Sequence, residues 1–219
     1  MAHVREIARN ELDELQAVLN GAEATMGFVP NSMLTMAHMP QLTMAFSMLA
    51  GVVFGADLKA LFAHYADHVP DTHRHGDDSA ALNPDLIQLI AYSVSLSAGC
   101  RYCQAHTSHN ANRLGIAEEK LQQVLQYETS SAFTAAEKAV IAVALAAGQV
   151  PNECDAAQFE ALQAHFSERQ IVQIVGVIAL FGFLNRWNDT MATQLEETPT
   201  KFAQRVLAEG GWQLDKHAG

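Results

Sequence analysis

Two cysteines and a histidine follow one another at steps of three residues near the middle of the chain. They are Cys100, Cys103 and His106, in the run GCRYCQAHTSH that begins at Gly99. Two thiols separated by two residues form a reversible redox pair or half of a metal site. Because residues three apart lie on neighbouring turns of a helix, the spacing brings all three side chains close if this segment is helical.

The cysteine pair lies where the sequence predicts the start of a helix. Gly99 closes a preceding apolar run, and a new helix is expected over residues 100–114. The free N–H groups and the partial positive charge of a first helical turn stabilise a thiolate. His106 can accept and return the thiol proton of Cys103, and Cys100 can attack an oxidised Cys103 to close a disulfide.

Zinc binding is an alternative for the same cluster. Cys100, Cys103, His106 and His109 are all zinc-ligand types. Steps of three residues drift around a helix with 3.6 residues per turn, so four such ligands cannot converge on one tetrahedral ion. Two alternatives remain open: a structural pair of buried cysteines, and a zinc ligand supplied by the histidines at positions 64, 68, 73 and 75. We favour redox chemistry of the cysteine pair over metal binding. No cofactor is expected, since the sequence has no glycine-rich dinucleotide fingerprint.

Composition limits the classes of partner and compartment. The 219 residues carry a net charge of −11 and are 49% hydrophobic, so nucleic acid is not an expected partner. The uncharged runs 86–100 and 171–185 are shorter than a membrane span, and we expect both, and the apolar stretch 32–56, to be buried helices. Three cysteines do not make a disulfide framework, and the charged N-terminus does not resemble a signal peptide, which predicts a cytoplasmic protein with no membrane partner.

Helix formers dominate the chain, and alternating β-branched patterns are scarce, so we predict an all-α fold. The segment Thr134–Glu137 has the sequence of a capping box, and Gly115 has the position of a left-handed helix cap. Helices are expected over residues 11–26, 32–38, 41–53, 59–67, 84–97, 100–114, 117–126, 134–147, 156–165, 168–184 and 199–209.

The predicted organisation is one helical domain over residues 1–219. An N-terminal helical part, 1–80, precedes a core with the cysteine motif, 81–130, and a second helical unit, 131–219. Residues 69–81 are rich in Asp, His and Gly and are the expected linker loop. A weak repeat relates the last two parts, because Leu82-Asn83 aligns with Phe133-Thr134 at an offset of 51 residues.

The stretch 83–115, with its buried helix leading into GCRYCQAH, resembles the signature of alkylhydroperoxidase D and its carboxymuconolactone decarboxylase-like relatives. The segments 27–31, 38–40 and 178–188 resemble the peroxidase-related branch of the same family, and the likeness covers about residues 25–205. This resemblance implies an all-helical fold assembled as trimers or hexamers. It also implies a thiol peroxidase that reduces small hydroperoxides with electrons from a separate thiol or protein reductant.

The resemblance also implies roles for individual residues. Cys103 would attack the peroxide, Cys100 would resolve the product as a disulfide, and His106 would relay the proton. The histidine position of alkylhydroperoxidase D is Thr107 in this chain, so the relay must come one place earlier, as in other peroxidase-related members. The family glutamate, twelve residues before the first cysteine, is Gln88. Glutamine cannot accept a proton, which predicts weak activity unless another carboxylate, such as Asp85, takes its place.

Several features outside the motif have less specific readings. Tyr102 lies between the cysteines and is expected to shape access to them. The family resemblance implies that the polar run 185–189 lies near the cysteine helix, and helix-end capping is an equal alternative for these residues. Cys154 is interpreted as an ordinary unpaired cysteine. Two other functions remain open, a non-redox enzyme with His106 as acid and base, and a redox or zinc-binding sensor.

Overall fold

The computed structural model describes residues 3–70 and 81–218, and within them it contains helices and no β-strand. The predicted all-α fold is therefore confirmed. Most of the expected linker, with His73 and His75, lies outside the described residues. The α-helices are α1 Gln16–Met26, α2 Asn31–Met36, α3 Pro40–Val53, α4 Leu58–Tyr65, α5 Pro84–Ser97, α6 Arg101–Arg113, α7 Glu118–Gln122, α8 Ala135–Ala147, α9 Ala156–Gln163, α10 Glu168–Met191 and α11 Glu197–Val206.

The chain divides into two compact units. The first comprises Met1–Ala81 with Ser167–Gln173, and its core is formed by α1, α2, α3 and the turns before α1. The predicted helix over residues 11–26 is shorter than expected. Leu12 has φ −115° and ψ 52°, so two 3₁₀ turns, Arg9–Glu11 and Asp13–Leu15, precede α1.

The second unit comprises Leu82–Phe166 with Ile174–Gly219, and it contains the cysteine motif. Helix α5 packs against α6 and α8, while α11 packs against α6. Residues 89–95 of α5 are all buried, as its apolar sequence predicts. The main core cluster includes Leu89, Tyr92, Ala105, Phe202 and Trp212.

Local signals set the helix boundaries around the motif. Gly99 has φ 76° and Gly115 has φ 100°, backbone conformations that glycine adopts without strain, so both helix ends appear where the sequence predicts them. The Thr134–Glu137 capping box is present in both directions. Helices α5 and α8 begin at Pro84 and Ala135, which matches the offset of the predicted repeat.

Two of the apolar stretches are less buried than the sequence predicts. Helix α10 extends to Met191 and is long and apolar enough to cross a membrane, yet only 28% of its apolar window is buried. In α10 the side chains of Leu180, Phe183 and Trp187 are exposed, and beyond α3 the residue Phe54 is 89% exposed. The prediction of fully buried helices was wrong for these faces, because the apolar pattern continues past the surface that this chain covers.

Candidate active site

Cys100 is the N-cap residue of α6. Its backbone is extended, with φ −75° and ψ 104°, and its sulfur accepts a hydrogen bond from the backbone N–H of Cys103 at 3.4 Å. Both cysteines are free thiols, and the two residues are only 1% and 3% exposed. The predicted position of the pair at a helix start is therefore observed, with Cys100 just outside the helix and Cys103 in its first turn.

The two thiols differ in acidity. A hydrogen bond from the Cys103 side chain lowers the pKa of Cys100; burial opposes this shift, and the backbone N–H of Cys103 supports it. The same thiol contact, burial and the charge on Cys100 raise the pKa of Cys103. The reduced pair thus favours a thiolate on Cys100 with a neutral thiol on Cys103 beside it.

Asn188 is the polar side chain that meets Cys103. Its Nδ2 atom lies 3.6 Å from the Cys103 sulfur and also donates to the carbonyl of Leu184 at 3.0 Å. Asn188 belongs to the last turns of α10 and is buried. An amide donor held in this way favours negative charge on the Cys103 sulfur.

His106 pairs with a carboxylate from a distant part of the chain. Its Nε2 atom lies 2.6 Å from Oε2 of Glu196, the N-cap residue of α11. The Tyr102 hydroxyl donates to the other oxygen of Glu196 at 3.1 Å, and the Tyr102 and His106 rings are 4.5 Å apart. Partial burial acts to raise the pKa of Glu196, but its own backbone N–H and the bonds from His106 and Tyr102 outweigh that effect and lower it.

A second histidine lies near the first cysteine. His217 is in the short 3₁₀ turn Asp215–His217, which packs against α6. Its Nε2 atom is 3.6 Å from Oδ1 of Asp189, and the Tyr102 and His217 rings are 5.8 Å apart. Tyr102 therefore contacts both histidines, His106 on its own helix and His217 from the 3₁₀ turn.

Two cavities of the second unit lie near the motif helix and near α10, and neither is lined by Cys100 or Cys103. One, of about 250 Å³, is lined by Arg101, Gln104, Trp212 and residues of α5 and α7. The other, of about 400 Å³, is lined by Cys154, Arg186 and residues of α8 and α10. Because Cys100 and Cys103 are buried, a neighbouring side chain must move before a substrate contacts either sulfur.

The comparisons with known proteins agree with this architecture. The model of the carboxymuconolactone decarboxylase family matches residues 66–146. The crystal structure of the debrominase Bmp8 is 31% identical, with 93% of this chain and 97% of that chain covered and a TM-score of 0.55. The chain belongs to the carboxymuconolactone decarboxylase family.

Two further structures extend the comparison within the family. A cysteine-to-alanine variant of Bmp8 in complex with 2,3,4-tribromopyrrole is 29% identical, covers 94% of this chain and 98% of that chain, and has a TM-score of 0.56. A structure from Agrobacterium tumefaciens, described as a protein of unknown function and putative antioxidant defence protein AhpD, is 25% identical. It aligns over 52% of this chain and 80% of that chain, with a TM-score of 0.50. A search of curated proteins by sequence gives no match.

The carboxylate beside the motif histidine differs from the one expected for an AhpD-like member of the family. Asp85 makes a local contact, since its Oδ1 accepts the backbone N–H of Leu86 at 2.8 Å within the first turn of α5. Glu196 provides the carboxylate instead, 90 residues after His106. The loss of a glutamate at Gln88 therefore does not leave His106 without an acidic partner.

The remaining candidates lie away from the sulfurs or make other contacts. The His109 ring packs on Phe202 at 5.4 Å, and His64 packs on Tyr65 in the first unit. Cys154 is half-buried with a pKa raised by burial and by Asp155, which fits the ordinary role expected of it. In the polar run 185–189, Asn185 accepts a hydrogen bond from Ser95 at 3.1 Å.

The sequence did not identify Glu196 or His217 as site residues. It pointed to Asn188 and Asp189 only as part of a polar run, without a role for either. The polar run after the apolar part of α10 was a usable signal for Asn188 and Asp189, because a helix that carries them past its buried segment brings them to α6. No local pattern marks Glu196 or His217. Each reaches the site only through the packing of the C-terminal segment.

Proposed function

We propose that this protein is a thiol-dependent peroxidase. It reduces small hydroperoxides while Cys100 and Cys103 are oxidised to a disulfide. The observation that carries the proposal is the contact between two free thiols, one of which caps a helix with its sulfur 3.4 Å from the backbone nitrogen of the other. A thiolate in this position and a thiol next to it supply the two electrons that cleavage of an O–O bond requires.

Cys103 is the attacking sulfur in this proposal, as in the family resemblance. The Asn188 amide stabilises the charge that develops on the Cys103 sulfur.

The reaction has two balanced steps. The Cys103 thiol and a hydroperoxide give a sulfenic acid and an alcohol, and the paired His106 and Glu196 deliver a proton to the leaving oxygen. The Cys100 thiol then attacks the sulfenic acid, and a disulfide and one water form. A separate thiol or protein reductant restores the pair by thiol–disulfide exchange.

Peroxide consumption with dithiothreitol as reductant tests this proposal. We expect Cys103→Ser to abolish turnover and Cys100→Ser to stop it after the first step, with a sulfenic acid on Cys103 that dimedone captures. The matched control is Cys154→Ser, because Cys154 lies outside the pair and its sulfur contacts the carbonyl of Val143. Full turnover in Cys103→Ser would exclude the proposed chemistry.

Reductive debromination is a second candidate, favoured by the likeness to Bmp8 over nearly the whole of both chains. The same thiol pair would supply two electrons to a brominated ring, and the products would be the disulfide, the ring with hydrogen in place of bromine, bromide and a proton. Bromide release from 2,3,4-tribromopyrrole with dithiothreitol, measured beside peroxide consumption, separates the two candidates. Bromide release without peroxide consumption would favour the debrominase.

We also propose that the chain works as a homo-oligomer. The side chains of Leu180, Phe183 and Trp187 on α10 support this, because they are apolar and exposed. Contact between such a surface and water is unfavourable. The trimers or hexamers implied by the resemblance would cover such a face.

A further inference from the structure

Three potential metal ligands of different chemistry meet beside the cysteine pair. One donor atom each from Cys100, Asp189 and His217 lies within 4.8 Å of the other two. The three come from the N-cap of α6, the end of α10 and the 3₁₀ turn Asp215–His217. Proximity alone does not make a metal site, so the contacts of each donor decide the matter.

The Nδ1 contact of His217 is the one usually found in a metal-binding histidine. Its side chain is 1% exposed, and its Nδ1 atom lies 2.8 Å from the carbonyl oxygen of Thr193. Because a carbonyl only accepts hydrogen bonds, Nδ1 carries a hydrogen, and in the neutral imidazole Nε2 then carries the lone pair that a metal ion would bind. An imidazole whose outer N–H is bound to a carbonyl is the usual arrangement of a metal-binding histidine.

The Nε2 atom of His217 is buried and has no hydrogen-bond partner within residues 3–70 and 81–218. Its distance of 3.6 Å to Oδ1 of Asp189 is too long for a hydrogen bond. A buried nitrogen without a partner is costly, and the lone pair of a neutral imidazole would face a carboxylate oxygen that repels it. A cation between the two atoms would remove both penalties.

Asp189 has one oxygen available for such a cation. Lys216 binds its Oδ2 atom at 2.8 Å and thereby holds the carboxylate in place, while Oδ1 is the oxygen nearest to His217. Ligands around a tetrahedral zinc are roughly 3.3–3.8 Å apart, given bond lengths of about 2.0–2.3 Å. The separation of Oδ1 and Nε2 falls in that range.

We propose that Cys100, Asp189 and His217 bind one Zn²⁺ ion in the reduced protein, with the fourth coordination position open to water. One sulfur, one nitrogen and one oxygen suit zinc, whereas magnesium and calcium take oxygen ligands. This set differs from the four motif residues considered from sequence, of which it includes Cys100 alone.

Zinc at this position competes with the disulfide. If the peroxidase function proposed above holds, the zinc-bound thiolate of Cys100, the Cys103 thiol, a hydroperoxide and one proton give the disulfide, an alcohol, water and free Zn²⁺. Oxidation therefore releases the ion, because a disulfide sulfur no longer carries the negative charge that binds it. Zinc occupancy of this site therefore depends on the redox state of the cysteine pair.

Zinc binding is tested on the reduced full-length protein after chelator treatment and without oxygen. Equilibrium dialysis with elemental analysis should give about one zinc per chain, and Co²⁺ should show thiolate-to-cobalt charge-transfer absorption. We expect Cys100→Ser, Asp189→Asn and His217→Ala each to weaken binding about tenfold or more in competition with a chromophoric chelator. The matched controls are Cys154→Ser, whose sulfur contacts the carbonyl of Val143, and His165→Ala, at an exposed position. Both should keep the affinity within about threefold.

Asp189→Asn keeps the test decisive if the buried His217→Ala variant does not fold, which circular dichroism would show. Asp189 is half-exposed, and asparagine retains an acceptor for Lys216. An absence of stoichiometric zinc in the wild type would overturn the proposal. Stoichiometric zinc that survives Asp189→Asn, or that Cys154→Ser and Cys100→Ser abolish equally, would also overturn it. The assay contains no peroxide, so its outcome is independent of the proposed peroxidase activity.

Discussion

His106 Nε2 and Glu196 Oε2 are 2.6 Å apart, a separation that joins the cysteine helix to the N-cap of α11. The bond supplies the acidic partner that a glutamine at position 88 cannot provide. It also ties the proton relay to the C-terminal part of the second unit.

Replacement of Glu196 by glutamine should slow peroxide reduction about tenfold to 100-fold, because His106 loses the carboxylate that orients it for proton transfer. The matched control is Glu197→Gln, since Glu197 is the next residue and pairs with Lys201 on the surface. Steady-state kinetics of both variants test this. Equal rates for Glu196→Gln and Glu197→Gln would contradict the role of the His106 pair.

The activity of the wild type should also fall in acid through the titration of Glu196. Its pKa is lowered in the folded protein, so the ionised pair persists below the pH at which a free glutamate gains its proton. The contribution of the pair is complete at higher pH and is lost as the pH falls through that lowered value. The rate profiles of wild type and Glu196→Gln should therefore converge at acid pH, whereas parallel profiles would argue against this assignment.

A thiol titration should find one acidic cysteine in the reduced, chelator-treated protein. We expect an ionisation below the roughly 8.5 of a free cysteine, because the Cys103 side chain and backbone N–H both stabilise the Cys100 thiolate. Ultraviolet thiolate absorbance against pH measures it. Cys100→Ser should remove this ionisation and Cys154→Ser should leave it unchanged; its persistence in Cys100→Ser would place the thiolate on another cysteine.

Tyr102 should limit access to the sulfurs. Its ring contacts His106 and His217, and its hydroxyl binds Glu196. We expect Tyr102→Ala to raise the rate for a bulky hydroperoxide relative to hydrogen peroxide several-fold, whereas Tyr102→Phe, which keeps the ring, should not change that ratio. The ratio of kcat/KM values for cumene hydroperoxide and hydrogen peroxide is the measurement. The same ratio in both variants would mean that the ring is not the barrier.

Gly148→Ala should destabilise the second unit. A Cβ atom at this position would lie 2.8 Å from Cβ of Ser97 and 3.0 Å from the carbonyl oxygen of Val94, so α5 and the end of α8 would have to separate. We expect a loss of about 1–3 kcal/mol in the free energy of unfolding, measured by denaturant titration. Gly210→Ala is the control, because no atom lies within 4 Å of its added Cβ. Equal stability of the two variants would contradict the tight contact.

The oligomer should appear as a multiple of the 23.8 kDa chain mass in sedimentation or mass photometry. We expect three or six copies, and we expect Trp187→Glu to reduce that number, because Trp187 is 56% exposed and its ring stacks on Phe183. Gln194→Glu, at an exposed polar position, should leave the assembly intact. A wild-type protein that sediments as a monomer would exclude the homo-oligomer.

The sequence predicts the parts of the fold that local chemistry specifies. Three local signals mark helix ends: Pro84, the Thr134–Glu137 capping box and Gly115. Each acts within a few residues, because it either bonds or does not need the backbone groups that are unpaired at a helix end. The position of Cys100 at the start of α6 follows from the same rules. The break at Leu12 was missed, since helix formers on both sides hide it.

The partners of the cysteines could not be predicted from local sequence. Asn188 meets Cys103 across 85 residues and Glu196 meets His106 across 90, so these contacts depend on the packing of α10 and α11. A single carboxylate or amide in a polar segment has many possible neighbours, and helix periodicity identifies none of them. The motif thus predicts the sulfurs and the first histidine, and the tertiary fold supplies the residues that control their charge.

The hydrogen bond from Nε1 of Trp212 to the carbonyl of Arg101 spans 111 residues. A ribosome therefore makes the two thiols long before it makes the segment that carries Trp212 and His217. During that interval the sulfurs lack the neighbours that enclose them in the finished protein, and they meet the solvent as ordinary cysteines. The cysteine pair is thus exposed to oxidation during synthesis, and the C-terminal segment buries it only when translation is complete.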